Sequence, residues 1–152
     1  MGVNPAYVDG LKLLARRELS EQQLRQRLAR KKHDADAIDE AVTRLRDERA
    51  LDDERVAEAI ARTETSVRRR GKVRVRLQIE RAGIAKSIAK RVVDEVFGAI
   101  DDDELLEASL RKRLRGREQI ADDREFQRLY RYLMGQGFEN DRVLRALDRR
   151  RR

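Results

Sequence analysis

Val75-Arg76-Leu77-Gln78-Ile79-Glu80-Arg81-Ala82-Gly83-Ile84 is the stretch whose reading decides the fold. Val75 and Ile79 stand four residues apart, on one face of a helix, and Gly83 sits where that helix must end before Ile84. From Lys72 to Ile79 the chain also alternates apolar and basic residues, which is a strand pattern. The rest of the chain decides between them. Leu24 with Leu28, and Leu129 with Leu133, repeat the four-residue step. Nine residues after the first member of each pair come His33, Ile84 and Phe138; Gly83 and Gly137 precede the latter two, and Lys32 precedes His33. Nine positions farther on, the registers reach Val42, Val93 and Leu147. The copies are spaced by 51 and 54 residues, and this shared register makes the Lys72–Ile79 stretch helical.

Each copy predicts helix, turn, helix, with a further helix in front. The nine helices fall near residues 5–17, 21–32, 35–48, 53–69, 72–82, 86–98, 103–115, 123–136 and 141–150. The expected fold is all-α, with three tandem three-helix repeats over 1–51, 52–100 and 101–152 forming an elongated, curved molecule. Ser20 with Gln23 is a capping box, and Asp101 with Glu104 and Asp122 with Glu125 are Asp-led versions of it. Pro5, the single proline, opens the first helix, where its missing amide hydrogen costs nothing. The acidic clusters Asp52-Asp53-Glu54 and Asp101 to Glu104 fall at the unit junctions and favour the helix starts there. Units of about 50 residues bury little surface alone, so neighbours should share apolar contacts or remain mobile.

Composition agrees with a folded helical chain. Of 152 residues 43% are charged, but Leu, Ile, Val and Phe number 38, a quarter of the chain and above the disordered range of roughly a fifth. The net charge of +8 favours polyanionic partners, nucleic acid first. With 4% aromatic residues, and no helix that sets a bulky apolar face against a purely basic one, a membrane surface is the weaker alternative. The absence of cysteine removes disulfides, thiolate zinc sites and cysteine nucleophiles. No apolar run is long enough for a signal peptide or a membrane span, which predicts a cytoplasmic location.

Arg68, Arg69, Arg70, Lys72, Arg74 and Arg76 surround Gly71 without an acid among them. Six cations where one helix ends and the next begins can meet successive phosphates; a basic cap and a solvated face are the plain alternative. A second run holds Arg111, Lys112, Arg113, Arg115 and Arg117, where capping of a helix end and phosphate binding weigh equally. Arg124, Arg128 and Arg131 stand among Tyr130 and Tyr132, whose rings suit either base stacking or core packing. Arg149 to Arg152 read as a frayed tail, and His33, the one histidine, reads as a core position. No histidine pair, phosphate loop or activated serine is present, so neither a catalytic site, a metal site nor a cofactor is expected.

Leu51-Asp52-Asp53-Glu54-Arg55-Val56-Ala57, followed by Gly71-x-x-Arg74-Val75 and Ala82-Gly83-Ile84, resembles the RecX family. The likeness extends to Leu13-Leu14-Ala15-Arg16-Arg17-Glu18-Leu19-Ser20 in unit one and to Leu129-Tyr130-Arg131-Tyr132-Leu133 with Gly137-Phe138 in unit three. The order and spacing of these segments carry it. Val56 stands where the family usually has Phe, the aromatic often found near Gly71 is missing, and Lys32 replaces a glycine. The resemblance implies a monomeric regulator that lies along a RecA recombinase filament on DNA. It would impede ATP hydrolysis, filament growth and strand exchange in recombinational repair and the SOS response. Partners would then be that filament and single- or double-stranded DNA with weak sequence preference. The competing reading from the three-helix units is a helix-turn-helix DNA-binding protein or transcription factor.

Overall fold

Residues that lose little side-chain freedom in a helix dominate the chain, and side-chain oxygens satisfy the first amides of most of its helices. The computed structural model describes residues 2–151. It contains α1 (Pro5–Arg16), α2 (Glu21–Arg30), α3 (Ala35–Asp47), α4 (Asp53–Ser66), α5 (Lys72–Arg81), α6 (Lys86–Gly98), α7 (Asp102–Leu114), α8 (Asp123–Gly135) and α9 (Asn140–Asp148). Among the described residues there is no strand. Ser20 and Gln23 form the expected reciprocal box. Asp52, Asp101 and Asp122 cap α4, α7 and α8. Glu125 reaches one residue beyond its cap, to the Ala121 amide at 3.0 Å.

Three apolar clusters follow the three registers. Leu24, Leu28, Ala41, Val42 and Leu45 centre the first, and Val75, Ile79, Ala89, Val92 and Val93 the second. Leu106, Leu110, Leu133, Val143 and Leu147 centre the third. Leu105 packs against the second and third clusters together. The accessible surface is 9875 Å². A compact chain of this mass would expose about 8,000 Å², so the molecule is elongated rather than collapsed about one core.

The units dock by one repeated contact. The Ser20 hydroxyl, at the start of α2, donates to the Ala82 carbonyl in the α5–α6 turn. One register later, the Gly71 amide at the start of α5 donates to the Gln136 carbonyl in the α8–α9 turn at 2.7 Å. Ser20 corresponds to Gly71 by the 51-residue shift, and Ala82 to Gln136 by the 54-residue shift. The Val73 amide to the Gly137 carbonyl at 3.0 Å, and Arg74 Nη1 to the Gly135 carbonyl at 2.7 Å, complete the second junction. Gly83 and Gly137 take φ of +84° and +97°, and a methyl group on either would overlap Gln22 or Arg74 of the preceding unit. Among the described residues nothing docks on the turn of unit one. Lys32 therefore takes φ +71° there as an exposed residue, which explains why the glycine can be absent from that copy alone.

Each junction also holds an aspartate at the first position of the following unit's first helix. Asp53 accepts the Glu21 amide at 2.8 Å, and burial raises its pKa above the ordinary value. Burial raises Asp102 likewise, beside Lys72 and Arg142.

Three expectations change. The helix expected to reach residue 69 stops at Ser66, because Arg69 turns left-handed at φ +53° and the Arg70 amide folds back to the Glu64 carbonyl at 2.9 Å. His33 is not a core residue: it is half-buried, and its Nε2 lies 2.6 Å from Asp9 Oδ2 on α1. The basic C-terminal tail is tied down rather than frayed. Arg149 and Arg150 pair with Glu107, while Arg151 pairs with Asp123 and lies 4.3 Å from the Phe126 ring centre. Arg152 of that run lies outside the described residues.

Candidate nucleic-acid interface

The first basic run is largely occupied within the molecule. Glu64 is 5% exposed and sits 3.2 Å from Arg70 Nη1 and 3.7 Å from Arg68 Nη1. Lys72 reaches Asp94 at 3.0 Å, and Arg76 lies 3.9 Å from Glu80. Arg74 holds the second junction. Arg69 keeps an exposed side chain, and its carbonyl accepts from Ser109 of α7 at 3.5 Å. The segment is thus a linker pinned between units two and three, with five of its six cations already partnered.

The second run differs. Arg111, Lys112 and Arg113 end α7, where the partial negative charge of the helix terminus favours them, and Arg115 and Gly116 turn the chain at φ +52° and +87°. Lys112, Arg113, Arg115 and Arg117 line a cavity of about 550 Å³ together with Tyr132 of α8. The Arg113 guanidinium lies 3.8 Å from the centre of the Tyr132 ring, a cation–π arrangement that leaves its charge uncompensated by any acid. Among the described residues only Arg117 of the four cations meets a carboxylate, through two bonds to Glu125 at 2.9 and 2.6 Å. Those bonds and the Ala121 amide pull the Glu125 pKa down to about 2.

Arg124, Arg128 and Arg131 are exposed along one side of α8, and Tyr132 follows Arg128 by one helical turn. The structure therefore brings the end of α7 to Tyr132 of α8, which lies next along the helix from the exposed stripe. Tyr132 is half-buried against the third core, and its hydroxyl accepts from Gln136 at 3.2 Å; the Tyr130 hydroxyl donates to Asn140 at 2.5 Å. Both rings are thus packing residues, and Tyr132, with Arg113 stacked on its ring, also lines the cavity. Arg117 lines it as a member of the basic run read from sequence. A carboxylate-poor cavity with forked donors suits phosphate. Asp52 and Asp101, in the acidic clusters, act as caps, and among the described residues no three metal-ligating side chains come together.

Comparison with known proteins gives a consistent result. Residues 6–45 match the family model for the first three-helix domain of RecX, and residues 101–147 match that for the third. The regulatory protein RecX of Syntrophotalea carbinolica is 34% identical over 134 residues, 88% of either chain. That of Halorhodospira halophila is 36% identical over 137 residues, covering 90% of this chain and 82% of its own. The crystal structure of RecX from Lactobacillus salivarius superposes with a TM-score of 0.79 at 19% identity over 94% of both chains, a likeness of fold. On this combined ground of sequence, register and fold, the chain belongs to the RecX family of regulatory proteins.

Proposed function

We propose that this chain binds the RecA recombinase filament on DNA and holds back its growth, ATP hydrolysis and strand exchange, acting by binding rather than catalysis. In this reading it works in the cytoplasm during recombinational repair and the SOS response. It acts as a monomer of three units spanning 1–51, 52–100 and 101–152. Family membership supports the recombinase as partner, and the cavity at Tyr132 is the observation that carries the nucleic-acid half. Lys112, Arg113 and Arg115 face it without a carboxylate partner, and Arg124, Arg128 and Arg131 extend the positive track. Among the described residues no helix is long and apolar enough to cross a membrane.

The test adds the purified chain, below one per recombinase subunit, to a filament on single-stranded DNA and follows ATP turnover. Loss of turnover is expected. A chain carrying Lys112→Glu, Arg113→Glu and Arg115→Glu should keep its helicity and inhibit poorly. On bare DNA the slope of log affinity against log salt should fall by about 0.7–0.9 per phosphate contact removed. Undiminished turnover with the wild-type chain, combined with strong preference for one duplex sequence, would transfer the protein to the helix-turn-helix class.

A further inference from the structure

Val73 and Leu77 stand one turn apart on the outer side of α5 and remain 47% and 42% exposed. The repeat supplies its own control. Shifted by 51 residues, these positions are Gln22 and Gln26 in unit one; shifted by 54, they are Gln127 and Arg131 in unit three, and all four are exposed. The same place in the same fold is polar twice and apolar once. Solvation of a helix face does not call for valine and leucine, and the unit's own core is already served by Val75 and Ile79 on the opposite side. Cations frame the pair. Arg76 follows Val73 by three residues and Arg81 follows Leu77 by four, so both border the same face; Glu80 lies there too, 3.9 Å from Arg76, which leaves Arg81 as the cation without a carboxylate. Arg81 is exposed, makes no ion pair among the described residues, and also lines a cleft of about 390 Å³ between units one and two with Arg17, Glu18, Glu64, Val56 and Ile60.

We infer that the Val73–Leu77 face of α5 is the protein-docking surface of this chain, and that it receives an acidic protein surface carrying an apolar contact between its carboxylates. Charge decides the occupant. A second copy docking through the same face would set Arg76 and Arg81 against their own equivalents in a chain of net charge +8. Nucleic acid would gain nothing from a Val–Leu pair in place of two more polar groups. The inference rests on the recombinase reading above and deepens it: α5 meets the recombinase protein, while the cavity at the end of α7 meets the phosphates.

The test uses Val73→Gln with Leu77→Gln, which installs unit one's own residues at these positions, and separately Arg81→Glu, which leaves the Val73–Leu77 pair in place. Each full-length protein is titrated onto recombinase assembled on single-stranded DNA, and onto the same DNA alone. Filament affinity should fall roughly 10-fold or more in both variants. Affinity for bare DNA should hold after the double substitution, as should helical ellipticity and sedimentation. Filament affinity equal to that of the wild-type chain in either variant overturns the inference and leaves the recombinase reading standing. A parallel loss on bare DNA in the double variant overturns it in favour of a nucleic-acid face, and a wild-type dimer that this variant dissociates overturns it in favour of self-association. Failure of the wild-type chain to bind the filament removes the recombinase reading first, and this inference with it.

Discussion

Replacing Gly137 by alanine isolates the docking between units two and three, because Gly116 provides a matched control. Both glycines are left-handed, at φ +97° and +87°, so an alanine at either bears the same backbone strain of about 1–2 kcal/mol. A methyl at position 116 meets no atom within 4 Å, whereas one at 137 overlaps the backbone and Cβ of Arg74. That overlap forces the start of α5 away from the α8–α9 turn. Three hydrogen bonds then fail together: Gly71 to Gln136, Val73 to Gly137 and Arg74 to Gly135. At about 1 kcal/mol net for each, the added loss is about 3 kcal/mol, and Gly137→Ala should cost about 4–5 kcal/mol in all. Urea unfolding followed by helical ellipticity measures both variants, and small-angle scattering reads the opening of the junction as a larger radius of gyration. If the two substitutions cost the same within about 0.5 kcal/mol, with unchanged scattering, the repeated junction does not couple the units as described.

Three further outcomes follow from the same geometry. Lys32→Gly relieves left-handed strain at an exposed turn with nothing docked on it, and should stabilise unit one by about 0.5–1 kcal/mol in urea unfolding; a loss would contradict the open turn. Asp53 is raised by burial, so folding disfavours its ionisation, and its contribution falls as pH rises from the ordinary 3.8 through the raised value. Asp53→Asn retains an acceptor for the Glu21 amide and should flatten the pH dependence of stability in that window, seen in unfolding at several pH values between 3 and 7. Glu125 shifts the opposite way: its contribution is complete above the ordinary 4.5 and is lost as pH falls through about 2. The carboxyl carbon resonance of Glu125 should accordingly titrate near 2, and a midpoint at the ordinary value would show that the Arg117 fork and the Ala121 amide do not hold it in solution.

The helices were legible because their signals are local. Val75 with Ile79 and their two register mates, Ser20 with Gln23, and the Asp caps all act within a turn or two of chain. The basic runs were legible as composition but not as charge. Lys72 meets Asp94, Arg149 and Arg150 meet Glu107, and His33 meets Asp9, each more than twenty residues away, so which cations stay free is a tertiary fact. Arg68 and Arg70 are the instructive exception. Their partner Glu64 lies just four and six residues upstream, but the expected helix to residue 69 hid the turn at Arg69 that brings Arg70 back to it. The cavity at Tyr132 was half legible, since Arg113 and Tyr132 were both noticed, but nothing short-range joins α7 to α8 across their loop.

The repeated junction also bears on what the first and third units leave exposed. Docking of one middle helix on the next unit's turn is a head-to-tail contact, and such contacts propagate into open polymers unless the exposed surfaces are altered. Among the described residues both exposed surfaces are altered. The leading turn, free in unit one, carries Lys31-Lys32 where the docked turns carry Ala82-Gly83 and Gln136-Gly137, so an incoming helix start would meet a side chain where it needs bare backbone. At the trailing end α8 begins three residues earlier in the register than α5. The position of Ser20 and Gly71 is then held by Glu125, inside the helix and already bonded to Arg117 and the Ala121 amide. Neither end offers the donor-and-glycine pairing used inside the chain. That asymmetry favours the proposed α5 face and Tyr132 cavity over these outer turns as docking surfaces.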